Sequence, residues 1–233
     1  MHKIIYLLLI IISTEIKSYG TVLKDFLAYQ EIMQSQNDLY EIDNIFTAIT
    51  KDRTVDLEAK VFIKKGSQAS YIVQNGRPTI FLTTKLGSWV IRENVPTPLK
   101  VSGGYTVFGV MSVDDVLGID FADDYNIISQ ENNKIVLQSK NKSATYNFIE
   151  LSKISATVFE SIVMDKNKKP IKSGYYELGT VNNIKIIVKA TFKDLIFDNQ
   201  RSSSFVVKSI KKSKIPIQIL VPERVQLLFN QVK

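Results

Sequence analysis

The ten residues 55–64 read VDLEAKVFIK. Apolar side chains occupy alternate positions of this stretch, and charged side chains occupy most of the positions between them. Successive side chains of a strand point to opposite faces of a sheet. The stretch therefore predicts a strand of an antiparallel sheet with one apolar face and one polar face.

The residues that follow predict that this strand continues into a series of hairpins. Lys65 and Gly66 mark a turn, and Asn75-Gly76 is the strongest short hairpin signal in the chain. Pro96 and Pro98 exclude an interior strand at 94–100, because a proline donates no ladder hydrogen bond. The other expected strands lie at about 40–48, 69–73, 79–84, 88–92, 125–129, 134–139, 144–151, 156–164, 171–178, 184–192 and 204–207.

Helical patterns are few. Residues 22–36 repeat apolar positions at helical spacing and predict one long helix. Ser112 with Asp115 three residues later is an N-cap pattern, which predicts a short helix over Val113–Leu117. Pro222 introduces a short closing helix at 223–232. The sequence thus predicts one mainly β domain of about eleven antiparallel strands, with a few helices on its concave face.

The N-terminus has the three parts of a secretory signal peptide. Basic Lys3 precedes an apolar run at 4–12, which is too short to span a bilayer, and Ser18 and Gly20 are the small residues that a signal peptidase reads. The alternative is an uncleaved membrane anchor, against which Glu15 and Lys17 argue. We therefore expect residues 1–20 to be removed and residues 21–233 to form a single domain in the periplasm.

Composition restricts the chemistry that is available. The 233 residues include no cysteine and one histidine, His2, which lies in the segment expected to be removed. A Ser-His-Asp triad, a cysteine nucleophile and the usual zinc ligand sets are therefore excluded, and we expect no enzyme, no metal and no cofactor. The net charge of +7 suits an anionic surface or simple solubility. The basic run 208–214 either contacts anionic lipid headgroups or an acidic partner, or is a solvated turn. Nucleic acid is not an expected partner.

One acidic segment leaves two weaker alternatives open. Five aspartates lie within residues 114–124. Such a cluster can bind calcium, or it can supply the catalytic carboxylate pair of a glycosidase. Its spacing does not match an EF-hand loop, however, and Asp115 is better explained as a residue of the first helical turn. The acidic residues concerned are Asp114, Asp115, Asp120, Asp123 and Asp124.

The stretch 87–125 resembles the LolA-like outer-membrane lipoprotein-sorting protein family. The shared features are Trp89, the proline loop after it, the segment VFGVMSVDDV at 107–116, and the segment DFADDY at 120–125. The order of elements along the rest of the chain also fits the family. The resemblance implies an incomplete antiparallel β-barrel with helices over an apolar cavity.

The same resemblance implies a function and its partners. It implies a periplasmic carrier that binds the acyl chains of a lipoprotein or lipid and moves them between the inner and outer membranes. The implied partners are an inner-membrane donor complex and an outer-membrane acceptor. Some relatives act instead as sensors, or as accessory domains that work with an RND-type transporter through protein contacts. Lipoprotein carriers use an arginine near the cavity mouth, for which Arg53, Arg77 and Arg92 are open alternatives here.

Apolar side chains on the predicted strands and loops are the candidates for lining such a cavity. The alternative for each of them is a place in a filled core. An apolar void would favour the carrier, and a solidly packed interior would exclude it. The candidate residues are Leu57, Val61, Ile63, Tyr71, Phe81, Trp89, Ile91, Phe108, Met111, Phe121 and Tyr125.

Overall fold

The computed structural model describes residues 21–117, 119, 121–141, 144–197 and 200–232. Within these ranges the chain forms fifteen strands and four short α-helices. The strands are β1 (Tyr40–Ile49), β2 (Thr54–Lys64), β3 (Ser67–Gln74), β4 (Arg77–Thr84), β5 (Gly87–Arg92), β6 (Leu99–Val101), β7 (Thr106–Phe108), β8 (Met111–Ser112), β9 (Tyr125–Gln130), β10 (Lys134–Ser139), β11 (Phe148–Lys153), β12 (Val158–Met164), β13 (Pro170–Val181), β14 (Ile184–Asp194) and β15 (Ser202–Lys212). The helices are α1 (Thr21–Leu27), α2 (Val113–Leu117), α3 (Phe121–Asp124) and α4 (Leu228–Gln231), with 3₁₀-helices at Glu31–Gln34, Ile217–Ile219 and Val225–Leu227.

A single antiparallel sheet holds thirteen of the strands found in the described ranges. Its order is β6-β5-β4-β3-β2-β1-β15-β14-β13-β12-β11-β10-β9, and β7 pairs with β8 separately. Strands β6 and β9 are the two edges of this sheet, so it does not close into a full barrel. The predicted fold class, a mainly β incomplete antiparallel barrel, is therefore confirmed, and the strands outnumber the eleven expected from the sequence.

Local turn chemistry explains several of the hairpins. Asn75 and Gly76 both have positive φ (51° and 70°) and join β3 to β4 directly, as a type I′ turn requires. Asn182 and Asn183 join β13 to β14 with the same signs of φ (51° and 63°), although no glycine is present there. The edge position of β6, directly after the two prolines, agrees with the exclusion of an interior strand at 94–100.

The two faces of the sheet bury different cores. The inner face packs against α1, the first 3₁₀-helix, α2 and α3, and its buried residues include Phe46 of β1 and Phe159 of β12. The outer face of β2–β5 is covered by the C-terminal segment from Ile217 to Gln231. Strand β2 serves both cores, since Val61 faces inward and its neighbour Phe62 faces outward.

Three sequence predictions about elements are wrong. The helix expected over 22–36 ends at Leu27, and the chain turns before the 3₁₀-helix Glu31–Gln34, because Gln30 has a non-helical backbone and a buried side chain. The closing helix at 223–232 is divided into a 3₁₀-helix and α4. The basic run 208–214 is no turn, since Lys208 to Lys212 continue β15 and Ser209 to Lys212 pair with β1.

The expected signal peptide at 1–20 lies outside the described residues and stays a prediction. In the part of the chain that the structure describes, no helix is both long enough and apolar enough to cross a bilayer.

Candidate ligand cavity

A cavity of about 100 Å³ lies between the inner face of the sheet and the helices that cover it. Its sheet wall comes from both halves of the barrel, including Ile42 and Phe46 of β1, Ile149 of β11 and Ile186 of β14. The helical wall includes Phe26 of α1, together with Ile32 and Met33 of the first 3₁₀-helix and Leu117 of α2. Most of the lining side chains are apolar, so the cavity suits an apolar guest.

The segment 21–34, which holds α1 and the first 3₁₀-helix, is called the lid below. The Phe26 ring of the lid packs edge-on against Phe121, Phe159 and Tyr176, with ring centroids 5.3 to 5.4 Å apart. Asp25 Oδ2 lies 2.5 Å from Lys153 Nζ at the end of β11. Val22, Leu23 and Ile32 of the lid are also buried in the inner core, so the lid is held to the sheet by apolar packing and by this partly exposed ion pair.

The cavity is small for a ligand site. Pockets that hold drug-sized ligands enclose about 300–1,000 Å³, several times the volume of this cavity. A guest of that size would need more room than the described walls leave.

A buried polar cluster interrupts the apolar wall on one side. Lys172 of β13 forms an ion pair with Asp115 of α2, and their side chains are only 13% and 4% exposed. The Tyr146 hydroxyl donates to Asp115 Oδ1 over 2.9 Å and lies 3.0 Å from Lys172 Nζ. The backbone N–H of Asp115 donates to Ser112 Oγ over 3.4 Å, and the backbone N–H of Ser112 donates in return to Asp115 Oδ2 over 2.8 Å. The predicted N-cap and helix Val113–Leu117 are therefore both confirmed. The charge of Lys172 is therefore balanced inside the cluster.

Burial shifts the acidities of the groups around this cluster. Burial, followed by the charge of Asp115, raises the pKa of Asp114 from 3.8 to about 6, although a hydrogen bond from Thr145 and the charge of Lys172 act in the opposite direction. Burial also raises the pKa of Tyr146 well above its usual value, as it does for Tyr125 and Tyr176. These phenols therefore stay protonated and act as neutral hydrogen-bonding groups.

The eleven candidate residues fall into three groups. Val61, Ile63 and Phe121 line the cavity. Five others belong to the same inner core without lining the cavity, namely Leu57, Phe81, Phe108, Met111 and Tyr125. Tyr71, Trp89 and Ile91 pack in the outer core, beneath the C-terminal segment. The alternation of side chains along a strand assigns them to two faces of the sheet, but it does not show which face packs against the lid.

Sequence reasoning missed several polar residues of the wall, including Lys172, Tyr146 and Asn44. Asn44 could have been identified from the sequence, because it interrupts the apolar face that Ile42, Phe46 and Ala48 form on β1. No local pattern could have identified Lys172 and Tyr146, since their partner Asp115 is distant along the chain. The three candidate arginines, Arg53, Arg77 and Arg92, are exposed and do not line the cavity.

The remaining acidic candidates do not gather into a site. Asp123 and Asp124 are exposed, and Asp120 lies outside the described residues. Over the described ranges, no group of three or more acidic or histidine side chains is placed to hold a metal ion.

A second concave region, of about 400 Å³, lies on the outer face of β11–β14. Glu150, Glu160 and Lys193 are among its lining residues, and the region is more polar than the inner cavity. Despite its greater volume it offers less apolar surface than the inner cavity, so the inner cavity is the better candidate for a hydrocarbon guest.

Comparison with known structures identifies the architecture. A LolA superfamily protein from Nitrosomonas europaea superposes with a TM-score of 0.71 at 15% identity, over 87% of this chain and 98% of that one. This chain has the LolA-like fold. A putative outer membrane lipoprotein-sorting protein domain from Vibrio parahaemolyticus (TM-score 0.65, 8% identity, 88% of this chain and 97% of that one) agrees with this assignment. A DUF1329 family protein from Desulfovibrio piger also matches (TM-score 0.63, 12% identity, 87% and 98%).

No family model matches the chain, and no curated protein matches it. The likeness to solved structures establishes the LolA-like fold alone.

Proposed function

We propose that this LolA-like protein is a periplasmic carrier that binds the acyl chains of a lipoprotein or lipid and moves them between the inner and outer membranes. The observation that carries the proposal is the apolar cavity between the inner face of the sheet and the lid. The names of two structural neighbours, a LolA superfamily protein and a lipoprotein-sorting domain, point in the same direction.

The physical requirement for such a carrier is simple. Each methylene group kept from water contributes about 0.8 kcal/mol, so a long acyl chain does not cross an aqueous space unaided. A carrier needs an apolar chamber, a cover that opens, and no reactive side chain. The described cavity is an apolar chamber and the lid covers it, which supports the proposal. The lining residues described for the cavity include no histidine and no cysteine.

The small volume of the cavity fits a cycle with an empty closed state and a loaded open state. In the closed state Phe26 and Ile32 of the lid fill space that a guest chain would take. Loading then exchanges contacts between lid and sheet for contacts between guest and sheet, so little apolar surface meets water at either stage. The donor would be an inner-membrane complex, and the acceptor would lie at the outer membrane.

The direct test uses protein purified from the periplasm. Native mass spectrometry is expected to reveal bound lipid, and delipidated protein is expected to take up a fluorescent fatty acid at micromolar concentration. Val61→Trp places a large ring in the cavity wall and should weaken uptake at least tenfold.

Phe62→Trp is the matched control for this test. It enlarges the next residue of the same strand, but on the outer face, and should leave uptake within twofold of the unmodified protein. Absence of both bound lipid and probe uptake would rule out the carrier.

The small volume of the cavity, about 100 Å³, favours a second candidate function that does not require a guest inside it. Under this alternative the protein is a periplasmic accessory domain that contacts an RND-type inner-membrane transporter through its surface. Crosslinking in cells would then capture one dominant membrane protein, and Val61→Trp would leave the cellular function intact. Loss of cellular function in the Val61→Trp variant would favour the carrier instead.

A further inference from the structure

One polar atom in the cavity wall has no partner. Asn44 lies on β1 between Ile42 and Phe46, its side chain is 7% exposed, and it lines the cavity. Among the described residues, no group donates a hydrogen bond to Asn44 Oδ1. A buried amide oxygen without a donor is unfavourable, because folding removes the water that bonded it in the unfolded chain. A leucine at this position would avoid that loss.

The backbone holds Asn44 in place from the opposite face. The register between β1 and β15 shifts between Asp43 and Asn44, so that Lys208 is the extra residue of a bulge. On the outer side Asp43 accepts hydrogen bonds of 2.6 Å from both Lys60 Nζ and Ser209 Oγ. These bonds fix the bulge, and with it the place of Asn44 in the cavity wall.

The charges of the wall indicate what kind of group would meet this oxygen. Lys172 is the one cationic side chain among the described lining residues, and Asp115 already pairs with it. Asp114 adds a second acidic group to the same wall. A carboxylate guest would therefore meet no free positive charge, whereas a neutral N–H or O–H group can donate to Asn44 without leaving a buried charge.

We infer that Asn44 is a hydrogen-bonding subsite that selects acyl guests with a neutral donor close to the chain, such as an amide N–H or a hydroxyl. The inference rests on the proposed carrier function and narrows its substrate class. An amide-linked or hydroxylated acyl chain is preferred to an ester-linked chain of the same length, because an ester carbonyl can accept only from Asn44 Nδ2 and leaves Oδ1 without a donor.

The test is a displacement assay with three ligands of matched chain length. Methyl palmitate, N-methylpalmitamide and the methyl ester of β-hydroxypalmitate each compete with a fluorescent acyl probe for the delipidated full chain. The quantity measured is the affinity of each donor-bearing ligand relative to methyl palmitate. Comparing this ratio between variants cancels the different water solubilities of the ligands.

Asn44→Leu removes the subsite and keeps the approximate size of the side chain. It should reduce the preference for a donor-bearing ligand by about three- to tenfold, the ratio expected for loss of one neutral hydrogen bond. Asn44→Val serves the same purpose if the leucine variant does not fold.

Ser70→Ala is the matched control. Ser70 is also fully buried, its Oγ also has no partner in the described chain, and it does not line the cavity. Its removal should leave the preference unchanged.

The possible outcomes distinguish the Asn44 subsite from the proposed carrier function. A reduced preference for the amide alone or for the hydroxyl alone supports the subsite and identifies the source of the donor. An unchanged preference in Asn44→Leu, or an equal loss for all three ligands, overturns the subsite while the carrier stands. Failure of every ligand and of the probe to bind the unmodified protein overturns the carrier, and the subsite with it.

Discussion

At the scale of single residues, two neighbouring aspartates of α2 occupy opposite electrostatic situations. Asp115 is paired with Lys172 and exchanges hydrogen bonds with Ser112 at the start of its helix. Among the described residues Asp114 forms no ion pair, and burial together with the Asp115 charge raises its pKa to about 6. Asp115 therefore supports the fold through its ion pair, whereas Asp114 opposes the fold when it ionises.

Asp114→Asn should change how stability depends on pH. Because the pKa of Asp114 is higher in the folded protein, the unfolded chain releases this proton first as pH rises, and the free energy of unfolding falls between about pH 4 and pH 6. The asparagine variant does not titrate there. Its stability should match that of the unmodified protein near pH 4 and exceed it by about 2–3 kcal/mol above pH 6. Urea unfolding across this range measures the difference, and parallel curves would contradict the assignment.

Lys172→Met should destabilise the protein by about 3 kcal/mol, because it leaves Asp115 buried without its cation. The double variant with Asp115→Asn should regain most of that loss, since no unpaired charge remains. Lys189→Met is the control, because the Lys189–Glu177 pair is about 40% exposed and its loss should change the free energy of unfolding by less than about 1 kcal/mol. Equal losses from the two lysines would show that burial of the Lys172 pair has no energetic consequence.

At the scale of elements, the lid is the part of the fold best placed to move. It is short and lies over strands from both halves of the barrel, since α1 packs on β10 and β11 while its 3₁₀-helix packs on β2 and β14. Its buried apolar side chains are Val22, Leu23, Phe26 and Ile32. Because the lid is not part of the hydrogen-bonded sheet, it can separate while the strands stay paired.

Tethering the lid should therefore block loading. The chain has no cysteine, so Asp25→Cys with Lys153→Cys introduces two thiols that a short bifunctional maleimide can join. Uptake of a fluorescent acyl probe should slow at least tenfold after crosslinking, and treatment with a monofunctional maleimide should have little effect.

Lys134→Cys with Glu150→Cys provides the control pair for the tether. These residues contact each other at 2.9 Å between the adjacent strands β10 and β11, within the sheet. Their crosslink should leave uptake unchanged. Rapid loading of the protein with a tethered lid would mean that the guest enters elsewhere, for example by displacement of α2.

At the scale of the whole molecule, one sheet supports two cores with separate roles. The inner core contains the cavity and meets the lid, whereas the outer core joins β2–β5 to the C-terminal segment. Phe62, Leu82 and Leu228 of the outer core are fully buried, so this side is solidly packed. The outer core can hold the sheet in shape while the inner side opens.

Fluorescence of the single tryptophan can test this division into an inner and an outer core. Trp89 packs in the outer core and Lys100 Nζ lies 5.7 Å from the centre of its ring, so the ring is remote from the cavity. Its fluorescence should stay within a few per cent of its starting value when the protein is saturated with a non-fluorescent acyl guest, and should change strongly on unfolding in urea. A large change on guest binding would place the guest against the outer face.

Much of the architecture could be predicted without coordinates, because it depends on local patterns. The alternation along β2, the Asn75-Gly76 turn and the cap of α2 each depend on residues a few positions apart, and each was predicted correctly. The motif around Trp89 also pointed to the LolA-like fold. The same local patterns predicted a helix longer than α1. The apolar spacing continues to residue 36, but the turn at Gln30 ends the helix earlier.

The cavity could not be derived in this way. An alternating strand has two faces, and Phe62, Tyr71 and Trp89 show that both faces of β2–β5 are apolar enough to be buried. Which face meets the lid depends on where distant segments pack, as does the meeting of Lys172 with Asp115 across 57 positions. The sequence specifies strands and turns through contacts between near neighbours, whereas the position of the hollow and its polar groups arises when segments far apart in the chain come together.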